Sequence, residues 1–140
     1  MTDHRPTSEY CIYAIKDSRN LDEVYESGGF GGFTENSKWV TGQHLLEDTQ
    51  SKNQKLLVIF SAAERATGLL YYAILTQINI NDGDPKNPLT TYHFTSLTPI
   101  KDAPPKSSLR LRDEAGQKFL SDSYIRSYAL CFTPDFLKGL

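Results

Sequence analysis

The chain is poor in the features that announce a function. Its 140 residues include one tryptophan, one methionine and two cysteines. No apolar run approaches the roughly 18 to 20 residues that cross a bilayer, which excludes a membrane-spanning helix in this sequence. The opening MTDHRPTSEY lacks the cationic, apolar and cleavage-site regions of a secretory leader. Cys11 and Cys131 lie near opposite ends and inside apolar runs, so buried free thiols are favoured over a disulfide or a zinc knuckle. Together these absences point to a soluble protein of a reducing compartment, the cytoplasm, or the nucleus in a eukaryote. Charge of one sign is lacking too: 15 Lys and Arg against 17 Asp and Glu leave a net charge of -2. That excludes the overall basic signature of an electrostatic nucleic-acid binder, but not a locally basic groove.

Catalytic signatures are also missing. The sequence holds no G-x-x-x-x-G-K-[ST], G-x-S-x-G, H-E-x-x-H or C-x-x-C. His4, His44 and His93 are scattered, and Asp82 and Asp84 sit in a loop whose spacing departs from a calcium site at Pro85. No metal and no cofactor are therefore expected. GGFGG does not match a phosphate-binding glycine pattern, and its better reading is a tight turn that presents Phe30 and Phe33.

What is present is ordinary globular material, 39% hydrophobic and 11% aromatic, in a length that fits one domain. Residues 1–9 read as a loose tail and residues 10–140 as a single domain. YCIYAI, 10–15, is a β-branched and aromatic run that predicts a central strand. Asn20 is placed to cap a helix over 21–27 that Gly28 and Gly29 end. GGFGGF then puts its aromatics on a flexible loop, and a second helix is predicted over 41–49. The runs at 55–60 and 69–80 form a hairpin, the first strand apolar on both faces and the second long enough to bend around a barrel. Residues 81–88 are a turn-rich loop, 90–97 a half-buried strand, 113–120 a helical turn and 123–132 the closing strand. In TPDFLKGL, Thr133 caps a last helix with Pro134 in its first position. Five or six strands with helices inserted after the first predict an α+β fold: a small, strongly curved sheet or barrel with helices packed at its rim.

Paired carboxylates at Asp22 and Glu23, Glu47 and Asp48, and Asp113 and Glu114 suit solvated helix faces. Phe30, Phe33 and Trp39, close together in a glycine-rich and polar stretch, suit a stacking surface for a planar base. Arg19, Lys38, Arg65 and Arg126 are among the cations available for phosphate contacts.

The order of segments resembles the EVE domain of the PUA-like superfamily, and YTH domains are similar. The resemblance rests on YAIK followed by Ser18, a short helix closing in glycine, an aromatic loop, LLVIFS with Phe60 and Ser61, Gly68 opening the next strand, and a terminal IRSYALCFTPDFL. It covers about residues 10–140. It implies a curved, mostly antiparallel β-barrel with a pocket for a flipped, often modified base of RNA or DNA. By the resemblance, Lys16, Asp17 and Ser18 contact the base edge, Phe30 stacks on it and Trp39 or Phe33 forms the second wall, with Ser61 at the mouth. The sole tryptophan comes nine residues after Phe30, a departure from the YTH pattern that speaks against methyladenine.

The leading expectation is a non-catalytic nucleic-acid-binding module, a reader of a modified base, monomeric or weakly dimeric. A hydrolase acting on a modified nucleoside on the same fold, using Lys16 with Asp17 or Glu64, is the second. A protein-interaction domain using the aromatic loop is the third.

Overall fold

The computed structural model describes residues 4–62, 68–81, 86, 89–112 and 128–138. The order is β1 (Tyr10–Lys16), α1 (Ser18–Glu26), β2 (Gly31–Glu35), α2 (Val40–Ser51), β3 (Leu56–Ala62), β4 (Leu69–Asn81), β5 (Leu89–Pro99), β6 (Tyr128–Phe132) and α3 (Asp135–Lys138). The strands make one six-stranded sheet in the order β2-β5-β4-β3-β1-β6. β1 pairs with β3 in parallel, and every other neighbouring pair is antiparallel. The expected α+β class and the mostly antiparallel sheet are present. Closure into a barrel is not: among the described residues β2 forms one edge, and beyond β6 at the other lies only a short antiparallel bridge from Leu111 to Cys131.

The sheet is nevertheless tightly curled. Lys16 of β1 and Glu35 of β2 form an ion pair at 2.6 Å, although four strand intervals separate β1 from β2. In a flat sheet those strands would lie roughly 19 Å apart, at about 4.8 Å per interval. That exceeds the combined reach of the two side chains, so the edges must turn toward each other. Register shifts in β4 opposite Phe60/Ser61 and along β5 supply local bends.

One face of the sheet buries Ile12, Ala14, Val58, Phe60, Ala73, Leu75, Tyr92 and Phe94 with Leu21 of α1 and Leu45 and Leu46 of α2. The other buries Cys11, Tyr13, Leu57, Ile59, Leu69, Cys131 and Leu137. β3 is buried along its whole length, as a strand covered on both faces must be.

Local starts and stops differ from the sequence reading in instructive ways. α1 is capped by Asp17, whose Oδ1 accepts from the Arg19 amide at 2.8 Å, and not by Asn20. The helix follows β1 without a linker. Its end is set by Gly28 and Gly29, at φ +113° and +82°. A Cβ on Gly29 would also lie 3.1 Å from the Leu97 amide, so both conformation and space demand glycine there.

GGFTE, expected in a flexible loop, is an edge strand held by β5 from Gly31↔Phe94 to Glu35↔Thr90. Cross-strand pairing overrides the low strand propensity of its glycines. The expected cap Thr133 instead donates its hydroxyl to the Ser8 carbonyl at 2.8 Å. In the segment read as a loose tail, Pro6 and Ser8 exchange backbone hydrogen bonds with Lys55. The helix at 113–120, the start of the closing strand and most of the 81–88 loop lie outside the described residues.

Burial pushes the Cys131 thiol from 9.0 up to about 12, and raises that of Cys11 as well, with the charge of Cys131 adding to the shift. A raised native value means that the unfolded chain gives up its proton first. The stabilising contribution is complete below about pH 9 and is lost as pH rises toward about 12. Denaturation midpoints should therefore fall across that window, and Cys131→Ala should make the fall shallower. An unchanged slope in the variant would assign the alkaline loss to other groups.

Candidate functional site

The parallel pair β1 and β3 ends at one edge of the fold, with Lys16 opposite Ala62. Because α1 starts at once, Lys16, Asp17, Ser18 and Arg19 gather at the carboxyl end of a central strand, where open sheets leave room for ligands. Asp17 and Arg19 are exposed and Ser18 is half-buried.

Lys16 points to the α1–α2 face of the sheet. Its ammonium pairs with Glu35 at 2.6 Å and stands 5.0 Å from the centre of the Phe33 ring. Both partners of the ion pair are largely withdrawn from water, at 15% and 12% side-chain exposure, so each limits where the other can go. Glu35 also accepts from the Tyr92 hydroxyl at 3.4 Å. Burial, and then the Glu35 charge, hold the Tyr92 phenol well above its usual range. Phe33 lies edge-on to Phe60 at 5.9 Å and to Tyr92 at 6.0 Å, and tilted against Phe94 at 5.5 Å. It is a partly buried wall and not a free ring.

Glu35 and Tyr92 were missed as site residues by the sequence reading. In GGFTE the residues Phe33 and Glu35 alternate onto one face. That signal was available, but the glycines made the stretch read as a loop.

Trp39 does not belong to the accessible surface. It is fully buried, sandwiched between Tyr92 at 4.3 Å and 18° and Tyr128 at 4.5 Å and 22°. Its amide donates to the Thr90 hydroxyl at 3.0 Å, which in turn donates to the Ser37 carbonyl at 2.6 Å. Among the described residues its indole Nε1 is buried without a hydrogen-bond partner. The Tyr128 hydroxyl meets that of Thr41 at 2.9 Å. A tryptophan in a polar stretch reads as loop surface until the tertiary fold places strands on both of its faces.

Ser61 is likewise fully buried. It shares a hydrogen bond with the Tyr13 hydroxyl, which places it on the opposite sheet face from Lys16. Its role is to satisfy Tyr13 in the second core layer.

Phe30 is the reverse case. It is 71% exposed, directly after the Gly28–Gly29 turn and before β2. Nearby on α1, Tyr25 is also exposed and packs on Tyr71 at 5.8 Å, while the Tyr71 hydroxyl donates to Asp22 at 2.5 Å and pins the helix to β4. Lys38 is exposed. Arg65, Arg126 and Glu64 lie outside the described residues.

Of the anticipated residues, the fold brings Lys16, Asp17, Ser18 and Phe33 to one rim, with Phe30 on the turn that leads into β2. Trp39 and Ser61 serve packing. Among the described residues no helix is long and apolar enough to cross a membrane. No known family model matches the chain, and no curated protein is significantly similar to it.

Trp39→Ala should cost about 3 to 5 kcal/mol of stability and loosen Tyr128 from the opposite rim. Chemical denaturation followed by near-ultraviolet circular dichroism measures both. A loss under about 1 kcal/mol would mean that the stack does not hold the edges together.

Proposed function

We propose that the chain is a non-catalytic nucleic-acid-binding module of PUA-like type, which receives a single extruded base, plain or modified, at the rim formed by α1 and β2. The observation that carries this reading is Phe30, an aromatic ring 71% exposed on a glycine-shaped turn beside an edge strand. A single exposed ring is common on protein surfaces; what favours a ligand here is its presentation on a tight turn, with Tyr25 also exposed on the adjoining helix. A base offers a π-face worth about 1 to 3 kcal/mol per stack. That gain offsets the cost of unstacking the base from its own strand.

Polar groups stand at the other end of α1, about 13 Å of helix from the turn that carries Phe30. There the Asp17 carboxylate and Ser18 hydroxyl can meet a neighbouring nucleotide, and the Lys16–Glu35 pair offers a donor and an acceptor from one fixed unit. Exposed Arg19 and Lys38 supply phosphate contacts. In this reading Phe33 backs the rim from within, and Trp39 fixes the rim's shape without touching the base.

The test is binding of a panel of plain and modified RNA and DNA oligonucleotides. Phe30→Ala should weaken the best ligand by about 5- to 150-fold while changing stability by less than about 0.5 kcal/mol. Lys38→Ala should lower affinity across all sequences and reduce the salt slope by about one. Equal affinities for wild type and Phe30→Ala, or no binding to any oligonucleotide, would remove this reading. Turnover of a modified nucleoside that fails in Lys16→Ala would favour a hydrolase instead.

A further inference from the structure

The two cysteines, distant in sequence, are direct cross-strand neighbours. β1 and β6 run antiparallel with Cys11 opposite Cys131. The Thr133 amide donates to the Glu9 carbonyl at 2.8 Å. Glu9 and Thr133 are thus a hydrogen-bonded pair, and two residues further along the ladder so are Cys11 and Cys131. Such pairs hold their Cα atoms about 5.5 Å apart, inside the roughly 4.4 to 6.8 Å that a disulfide spans.

Both side chains enter the same buried layer. They are present as free thiols, with Cys11 Sγ turned to the Phe132 carbonyl at 3.8 Å. A side-chain rotation would point it at Cys131.

We propose that Cys11 and Cys131 are a reversible disulfide site that clips β6 to β1 when the chain meets a low-molecular-mass disulfide of the glutathione type. One cysteine thiolate attacks the glutathione disulfide, forming a mixed disulfide and releasing one glutathione thiolate. The second cysteine thiolate then attacks the protein sulfur of that bond and releases the other glutathione. The protein dithiol loses two electrons and two protons, and the oxidant takes up both to become two thiols.

Full burial sets the kinetics. Neither sulfur meets solvent in the closed chain, so the reagent reaches them only when the layer that covers them, which includes Leu109 and Leu137, opens or β6 lifts from its neighbours. The hydrogen-bonded pair position sets the reversibility. Its Cβ atoms, about 5.5 Å apart, must draw in to the roughly 3.5 to 4.5 Å of a relaxed disulfide, and the resulting strain favours reopening by thiol.

The clip has a mechanical target, because β6 carries Tyr128 and hence one side of the Trp39 stack. Oxidation would hold that end of the sheet in place.

The test uses the wild-type chain, unfolded in urea and refolded in a glutathione redox buffer, then trapped by alkylation. Intact mass and peptide mapping should find one intramolecular Cys11–Cys131 bond, reopened by excess reduced glutathione. Backbone hydrogen exchange in β6 should slow at least tenfold in the oxidised chain relative to the same sample after reduction. Free thiols, glutathione adducts or intermolecular dimers at equilibrium would overturn the assignment. An intramolecular bond with unchanged β6 exchange would overturn the clip. Cys131→Ser should show no redox-dependent exchange, and the reduced wild type provides the same control if that variant does not fold.

Discussion

Among the described residues, side chains, and not backbone hydrogen bonds, join the two sides of this sheet. The Lys16–Glu35 ion pair and the Tyr92–Trp39–Tyr128 stack each connect strands four intervals apart in the sheet order. An ion pair this withdrawn from water has its attraction strengthened by low dielectric and its desolvation charged against it. The Tyr92 hydroxyl and the Phe33 ring recover part of that cost. The stack contributes by a different route, holding the buried Trp39 and Tyr92 and the half-buried Tyr128 in near-parallel contact where the hydrophobic gain dominates. Curvature, and with it the rim beside Asp17 and Ser18, depends on both.

This arrangement also separates two aromatic environments. Trp39 sets the distance between the edges from a fully buried position, whereas Phe30 stands in water on the turn before β2. Residues that are close in sequence and alike in chemistry have opposite surroundings. Composition cannot distinguish them, since both lie in a glycine-rich polar stretch.

Strands with strong β-branched or aromatic content were legible from the sequence: β1, β3, β4 and β5 fall where their patterns place them, within a few residues. The helix after β1 was legible too, although Asp17 and not Asn20 caps it. The failures share a cause. GGFTE carries little intrinsic preference for a strand and becomes one through pairing with β5; Trp39 and Ser61 are buried by elements far away in sequence. The Lys16–Glu35 contact arises from sheet curvature, which no local pattern encodes. The fold sets Lys16, Asp17 and Ser18 together where β1 passes into α1, and puts Ser61 on the opposite side of the sheet.

The placement of β1 between β3 and β6 bears on how the chain reaches this state. A strand made first has its two partners delivered later, one of them after nearly everything else, so its ladder closes only through long loops and late arrivals. During synthesis its apolar residues wait without a sheet, open to wrong neighbours. Slow closure of the sheet is the natural counterpart of a first strand whose final partner is also the sheet's last.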